Sequence, residues 1–166
     1  MQNAVVCMLF MPSRTIFQGA RDHHDLLLIR EIKHCAWNVP SGYVERDEHA
    51  LEAARREFRE ETGYSCPEIT SQTELRTHHT VVYLWETEHR LPSSLGPYLQ
   101  RPPETNALLS IGLNKLYDVL NATSPTSATA LFSPWLLMKT LTLRPVFARL
   151  LLENEADIRA FYDTIE

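Results

Sequence analysis

Three glutamates, Glu57, Glu60 and Glu61, stand close together at the end of a segment, Asp47 to Glu61, that holds no glycine or proline. At about 100° per helical residue, Glu57 and Glu61 lie about 40° apart and Glu60 about 60° to the other side of Glu57, so three carboxylates share one stripe. The adjoining stripe, Leu51, Ala54 and Phe58, is apolar and predicts packing on a sheet, while Ala50 and Ala53 leave room beside the acids. Carboxylates crowded against a core repel and raise one another's pKa unless a cation neutralises them. Hard oxygen donors select Mg²⁺, with Mn²⁺ able to substitute. Zinc is not expected: Cys7, Cys35 and Cys66 are scattered, and His23-His24 has no partner at ligand spacing and reads as a loop feature. The plain alternative is a solvated face on which these acids and Glu52 pair with Arg55, Arg56 and Arg59, and the glutamates alone favour it.

Val5 to Phe10 and Asp25 to Ile32 read as strands, the second with the continuous apolar run Leu26 to Ile29 that suits a sheet covered on both faces. The helix over Asp47 to Glu61 stops at Gly63, a residue suited to a left-handed cap. Thr77 to Thr87 is a long strand on which Tyr83 and Trp85 are expected to alternate faces, so at most one of each neighbouring pair reaches a ligand. Leu91 to Thr105, with Pro92, Pro97, Pro102 and Pro103, reads as a loop. A helix is predicted over Ser110 to Asn121, a surface loop from Ala122 to Thr129, and a helix begun by Ser133-Pro134 that runs from Trp135 to Leu152 with a break at Pro145. Asn154 to Ile165 reads as a last amphipathic helix.

With 166 residues, 44% of them apolar, the expectation is one domain spanning 1–166. A net charge of -5 excludes the electrostatic footprint of a bulk nucleic-acid or anionic-membrane binder, and no apolar stretch nears the ~20 residues of a membrane span. Three dispersed cysteines suit a reduced setting, so an intracellular, cytoplasmic place of work is expected, with export after removal of a signal as the alternative.

The wider pattern outweighs the solvated-face alternative. Gly42, five residues, Glu48, seven residues, Arg56-Glu57-Phe58, one residue, Glu60-Glu61, one residue, Gly63-Tyr64 fills every fixed position of the signature of the Nudix hydrolases, which this chain resembles. Trp37 to Pro40 before this box, a strand pair ahead of it and a β-rich segment behind it extend the likeness over about 4–120. The resemblance implies an α/β fold, a Nudix-type α/β/α sandwich with a mixed central sheet, the box helix on one face and the C-terminal helices on the other.

It also implies that Glu57, Glu60 and Glu61 hold Mg²⁺ with the Gly42 carbonyl, that Glu61 and Glu57 act in catalysis, and that Arg56 steadies a box carboxylate. Glu48, expected one turn into the helix, would form that pairing, and Gly42 and Gly63 would supply backbone freedom. Glu61 is the first choice for general base, with Glu86, Glu88 and Glu104 as later candidates. Ser41 and Tyr43 stand where many relatives carry glycine, beside the phosphate path.

The expected reaction is Mg-dependent hydrolysis of a phosphoanhydride bond in a highly charged diphosphate: a diphosphoinositol polyphosphate, a dinucleoside polyphosphate or a capped RNA end. Glu74 to Tyr83 is loosely similar to the strand after the box in diphosphoinositol polyphosphate phosphohydrolases, and Arg14, Arg21, Arg30, Lys33 and Arg46 are candidates to surround extra phosphates. Arg76, Lys33, Arg30, Ser41, Tyr43 and His78 are thus the candidate substrate-binding residues, and Tyr43 or Trp85 would stack on a base if the substrate is a nucleotide. The alternatives are an ADP-ribose or nucleotide-sugar pyrophosphatase, or a non-catalytic Nudix-like module that binds nucleotides or a protein.

Overall fold

The computed structural model describes residues 3–14, 21–122, 129–131 and 140–165. The chain enters on β1 (Ala4–Pro12), the most buried strand, and returns on β2 (His24–Glu31), antiparallel to it with Phe10 opposite Leu26. Two short strands follow, β3 (Ala36–Asn38) on β2 and β4 (Ser41–Tyr43) on the first half of β1, with Gly42 opposite Val5. After α1 (Ala50–Thr62) come β5 (Ser71–Arg76) and β6 (Thr80–Glu86). β6 lies parallel to β1, with Val81 beside Val5, and β5 closes that edge antiparallel to β6. β7 (Thr105–Gly112) pairs antiparallel with β2, completing a seven-stranded mixed sheet among the described residues. Behind it come α2 (Leu113–Ala122), a small ladder of β8 (Thr129–Leu131) with β9 (Thr140–Thr142), then α3 (Pro145–Glu153) and α4 (Glu155–Thr164).

Period-two alternation explains the layering. From β1, Val5, Cys7, Leu9 and Met11 point to the face covered by α1, where Ala54 and Phe58 pack on them with Trp85. Val6, Met8 and Phe10 point the other way, onto Leu116, Phe147 and Phe161 of α2, α3 and α4. The run Leu26 to Ile29 divides likewise, two side chains to each face, so the strand is apolar throughout because both of its faces are covered. The sandwich expected from the sequence is the observed architecture.

Several elements differ from expectation. The helix starts at Ala50, not Asp47, because Asp47 has φ 62°, a left-handed conformation that no helix continues. The strand expected over Thr77 to Thr87 is β6, but it pairs with a strand the sequence does not predict, β5, which is polar and largely exposed and so carries no apolar period. Ser110 to Gly112 belongs to a strand, since β7 pairs with β2 from Asp25 opposite Gly112 to Glu31 opposite Thr105. The helix begins only at Leu113, where Asp22 accepts the Asn114 backbone N–H at 2.9 Å, a cap delivered from 92 residues away in sequence.

In the C-terminal part, the stretch 140–144 is extended: Leu143 bridges Trp37, and Arg144 donates its N–H to the Trp37 carbonyl at 2.8 Å. Pro145 therefore opens a helix at its first turn instead of breaking one. The remainder of the predicted loop and helix, 123–128 and 132–139, lies outside the described residues. Among the described residues no helix is long and apolar enough to cross a membrane.

Candidate active site

The box begins where β4 lies against β1. The Cys7 N–H donates to the Pro40 carbonyl at 2.8 Å, and Val44 N–H to Asn3, so the chain from Pro40 to Val44 is held along the strand and Gly42 faces the helix. A Cβ built at Gly42 would overlap the Glu57 carboxyl group, which occupies the space a side chain would take. Positive φ is found at Gly63 (81°) and not at Gly42, so Gly63 is glycine for its left-handed cap, whereas Gly42 is glycine for close approach. Gly42→Ala is accordingly expected to displace the Glu57 carboxylate and lower kcat by about a hundredfold, as misplacing one reacting group does. A kcat within a few-fold of the parent, on protein with an unchanged circular dichroism spectrum, would show that the contact does not matter.

Arg56 is the hub of the site. Its Nε and Nη2 donate to Glu48 at 2.8 and 3.0 Å, its Nη1 to Glu57 at 2.8 Å and to Glu60 at 3.3 Å, and its Nη2 also to the Tyr43 carbonyl at 3.0 Å. Glu48 lies in the loop before α1, not one turn inside it, and from there meets Arg56 in a bidentate pair. Those hydrogen bonds hold its carboxyl below the usual range. Arg56 thus touches carboxylates and one carbonyl, a positioning role.

Glu57 and Glu61 behave differently. Burial pushes Glu57 up to about 7, against the pull of Arg56 and with the charges of Glu60 and Glu104 adding to the rise. Burial also pushes Glu61, 7% exposed, well above the ordinary carboxylate value, opposed by the Ser41 N–H that it accepts at 2.8 Å and reinforced by Glu57, Glu31 and Glu104. A divalent cation fits this donor set: hard oxygens, partly desolvated, whose ionised forms lack enough positive charge nearby. Among the described residues no three such donors already converge on one point, and Glu57 and Glu60 are both turned to Arg56, so loading a cation requires them to swing away from it.

Two acids at the site, Glu31 and Glu104, are brought there by tertiary structure. Glu31 ends β2 and accepts from Asn38 at 2.7 Å and from Arg144 at 2.7 and 3.1 Å. Glu104 sits at the end of the proline-bearing loop, which docks on the last turn of α1. Gly96, Tyr98 and Gln100 donate backbone N–H groups to the carbonyls of Thr62, Gly63 and Glu60, each at 2.9 Å. The loop thereby satisfies the open end of the helix. Of the later base candidates, Glu104 neighbours Glu57 and Glu61, whereas Glu86 pairs with His24 at 3.1 Å, five residues or about 17 Å along β6 from the row of Val81. Glu88 follows it at that far end. Glu104 was legible as a candidate; Glu31, inside an apolar strand, carried no signal.

A cleft of about 480 Å³ opens beside Gly42, between β4, the starts of β1 and β6, and α3. Ser41, Tyr43, Asn38, Arg144, Arg149 and Phe147 contribute to its walls. Of the six substrate residues named from the sequence, Ser41 and Tyr43 line this cleft, while Arg30, Lys33, Arg76 and His78 do not. Arg30 bonds Asn106 at 3.3 Å, Lys33 is exposed on the turn after β2, Arg76 pairs with Glu74 at 2.9 Å, and the His78 ring lies tilted against that of His79 in the β5–β6 turn. Arg14 and Arg21 lie beyond the far end of β1, and Arg46 is exposed before α1. Trp85 is fully buried and, being two residues from Tyr83, shares its face and stacks on it at 5.8 Å, so it is unavailable to a base. His24 is likewise a buried strand residue, not part of a loop.

The family model of the NUDIX domain matches residues 9–106. The putative nudix hydrolase 1 of Caenorhabditis elegans is 40% identical over 60 residues, which cover 34% of this chain and 16% of that protein, so the chain spans about a sixth of that relative's length. Among solved structures, the NUDIX domain of Shewanella oneidensis NrtR complexed with ADP ribose superposes with a TM-score of 0.50 at 12% identity, covering 93% of this chain and 86% of that one. A C. elegans Ap4A hydrolase gives 0.47 at 16% identity, covering 71% and 85%.

Proposed function

This chain belongs to the Nudix family, and from that premise we propose that it is a divalent-metal-dependent pyrophosphohydrolase that cleaves the phosphoanhydride bond of a nucleoside-diphosphate-type substrate. The observation that carries the proposal is the closeness of the buried Glu57 and Glu61 carboxylates to the backbone of β4: the Glu57 carboxyl fills the space a Gly42 side chain would take, Glu61 accepts the Ser41 N–H, and β4 also edges a cleft of about 480 Å³. Packing of α2, α3 and α4 on the same sheet supports reading the whole chain as one such unit.

Glu57, Glu60 and Glu61, with the Gly42 carbonyl, are the residues that would hold Mg²⁺ or Mn²⁺, which when bound supplies charge neutralisation and a water of lowered pKa. Arg56 keeps Glu57 and Glu60 aimed at one place until a cation competes for them. Glu61, turned toward the Ser41 N–H, is the group best placed to take a proton once ionised, with Glu104 the second choice. The cleft binds the remainder of the substrate. Its floor of Val6, Phe147 and Leu150 suits a flat apolar group, Tyr43, 64% exposed at the rim, can stack on it, and Arg149 offers a cation to a second phosphate. A diphosphoinositol phosphate needs cations on many sides, and the residues expected from the sequence to supply them lie outside this cleft. The nucleotide reading is therefore preferred over the more highly charged one.

The test is product mass on a panel of a dinucleoside polyphosphate, ADP-ribose, a nucleotide sugar, a capped RNA end and a diphosphoinositol phosphate, with and without chelator. Hydrolysis is expected to vanish in excess chelator and to return with Mg²⁺ or Mn²⁺ but not with Zn²⁺. Tyr43→Ala and Arg149→Ala should each raise KM about tenfold with little change in kcat, the mark of lost binding energy. Arg76→Ala and Lys33→Ala should do neither. A diphosphoinositol substrate that is cut best and depends on Arg76 and Lys33 would reverse the assignment, and hydrolysis of none of the panel would favour the binding-only module.

A further inference from the structure

A second cavity, about 680 Å³, lies away from the cleft at the box, at the other end of the sheet. Met11, six residues or about 20 Å along β1 from Val5, is part of its wall. Its apolar surface comes from Leu27, Leu91, Leu108 and Ile111, and its volume falls within the range of small-molecule sites. Four cationic side chains line it, Arg14, Arg21, Arg90 and Lys115, against three carboxylates, Asp22, Asp25 and Asp118.

Each carboxylate is already engaged. Asp22 accepts from the Asn114 backbone at 2.9 Å and from the Tyr162 hydroxyl at 2.9 Å. Asp25 accepts from Arg90 Nη1 at 3.0 Å and from the Arg14 N–H at 3.3 Å, and Asp118 takes Arg21 at 2.6 Å. Arg90 is held at three points, Asp25, the Pro12 carbonyl at 2.6 Å and the Ser110 hydroxyl at 2.5 Å, yet its buried Nε–H has no acceptor among the described residues. That N–H is closed to solvent, so a ligand in the cavity would meet the outer edge of the guanidinium, where Nη2 carries a second N–H beyond the one given to Ser110.

We propose that this cavity is a second ligand site, distinct from the box, for a small organic phosphate or carboxylate whose anionic group meets Arg90 and whose apolar body packs on Leu91 and Leu108. The excess of cation over carboxylate selects the charge, and the leucine walls select against a bare ion. Nothing in this site depends on how the box carboxylates act.

Phenyl phosphate is the probe, titrated into the whole chain in EDTA, where the metal-free box carboxylates repel it. Binding is read from the Arg90 Nε–Hε resonance, which burial protects from exchange, and from the melting temperature. The resonance should move with a saturable curve, and inorganic phosphate and phenol should each bind at least about tenfold more weakly. Arg14→Glu, which leaves the backbone contact to Asp25 in place, should weaken phenyl phosphate about tenfold by reversing a charge at the mouth. Arg90→Lys, which removes the reporting N–H, should abolish the rise in melting temperature with phenyl phosphate, and Arg14→Glu keeps the test decisive if that variant does not fold. An Arg90 resonance unmoved at saturating probe, equal affinity for inorganic phosphate, or indifference to Arg14→Glu would each overturn the proposal.

Discussion

Glu61→Gln is expected to lower kcat by about a thousandfold or more while leaving the fold intact, the effect of losing about 4 kcal/mol of charge stabilisation at a metal site. Glu57→Gln should do nearly the same. Both substitutions are close to isosteric, and a neutral amide is easier to bury than the carboxylates that burial already pushes toward protonation. The Ser41 N–H can still donate to the amide oxygen at residue 61, so β4 keeps its place. The expected signature is a fall in kcat at saturating substrate with unchanged circular dichroism and a reduced affinity for Mn²⁺ measured directly. Near-normal turnover in both variants would remove the proposed site.

The metal-free protein should lose stability as the pH rises from about 4.5 to about 7. Glu57 has its folded pKa raised to about 7, from an ordinary value of 4.5, chiefly by burial. A group whose pKa is higher in the folded state holds its proton more tightly there, so its stabilising contribution is complete below 4.5 and is lost by the time the pH passes 7. The difference amounts to about 3 kcal/mol, or about 6–12 °C of melting temperature for a chain of this size. The Glu57 side chain is only 14% exposed, so solvent screening does little to reduce this. Glu61 is shifted in the same direction and adds to the loss. Melting curves in EDTA at pH 5 and pH 8 read the effect, Glu57→Gln should flatten it, and Mg²⁺ should restore stability at pH 8 by binding only the folded chain. A flat pH profile for the parent protein would mean that water or rearranged side chains already relieve the buried acids.

The same burial accounts for how the residues of the box are divided between structure and chemistry. Arg56 hydrogen-bonds Glu48, Glu57 and Glu60, whereas the Glu61 carboxylate accepts from the Ser41 N–H and, among the described residues, from no cationic side chain. An acid so placed gains most from a cation. Its neighbour Thr62 is also buried, its hydroxyl donating to Phe58 at 2.7 Å, and the Thr105 hydroxyl closes the Glu61 carbonyl at 2.5 Å. The last turn of α1 is thus fixed by β7 and by the loop ahead of it, and that rigidity sets the direction of the Glu61 side chain.

Residues 42–64 were legible in the amino-acid sequence because their information is local. Spacing alone puts three carboxylates on one stripe and Phe58 on the next, and Gly63 at the end of the helix is demanded by a φ of 81°. The two-faced burial of Leu26 to Ile29 was legible for the same reason, since a continuous apolar run needs cover on both sides. Ser110 to Gly112 was misread as helix because its period is ambiguous over so few residues, and seven pairings with β2 decided for strand. Glu31, Asn38, Arg144 and Arg149 are far apart in sequence and meet only because β2, β3 and α3 converge beside Gly42. Arg14, Arg21, Arg30 and Lys33, near the box in sequence, are carried to other surfaces because an extended strand moves about 3.3 Å with every residue. Local spacing could therefore place three carboxylates on one stripe of a helix, but the shape and charge of the cleft at β4 were decided by which strands and helices the tertiary fold brought next to Gly42.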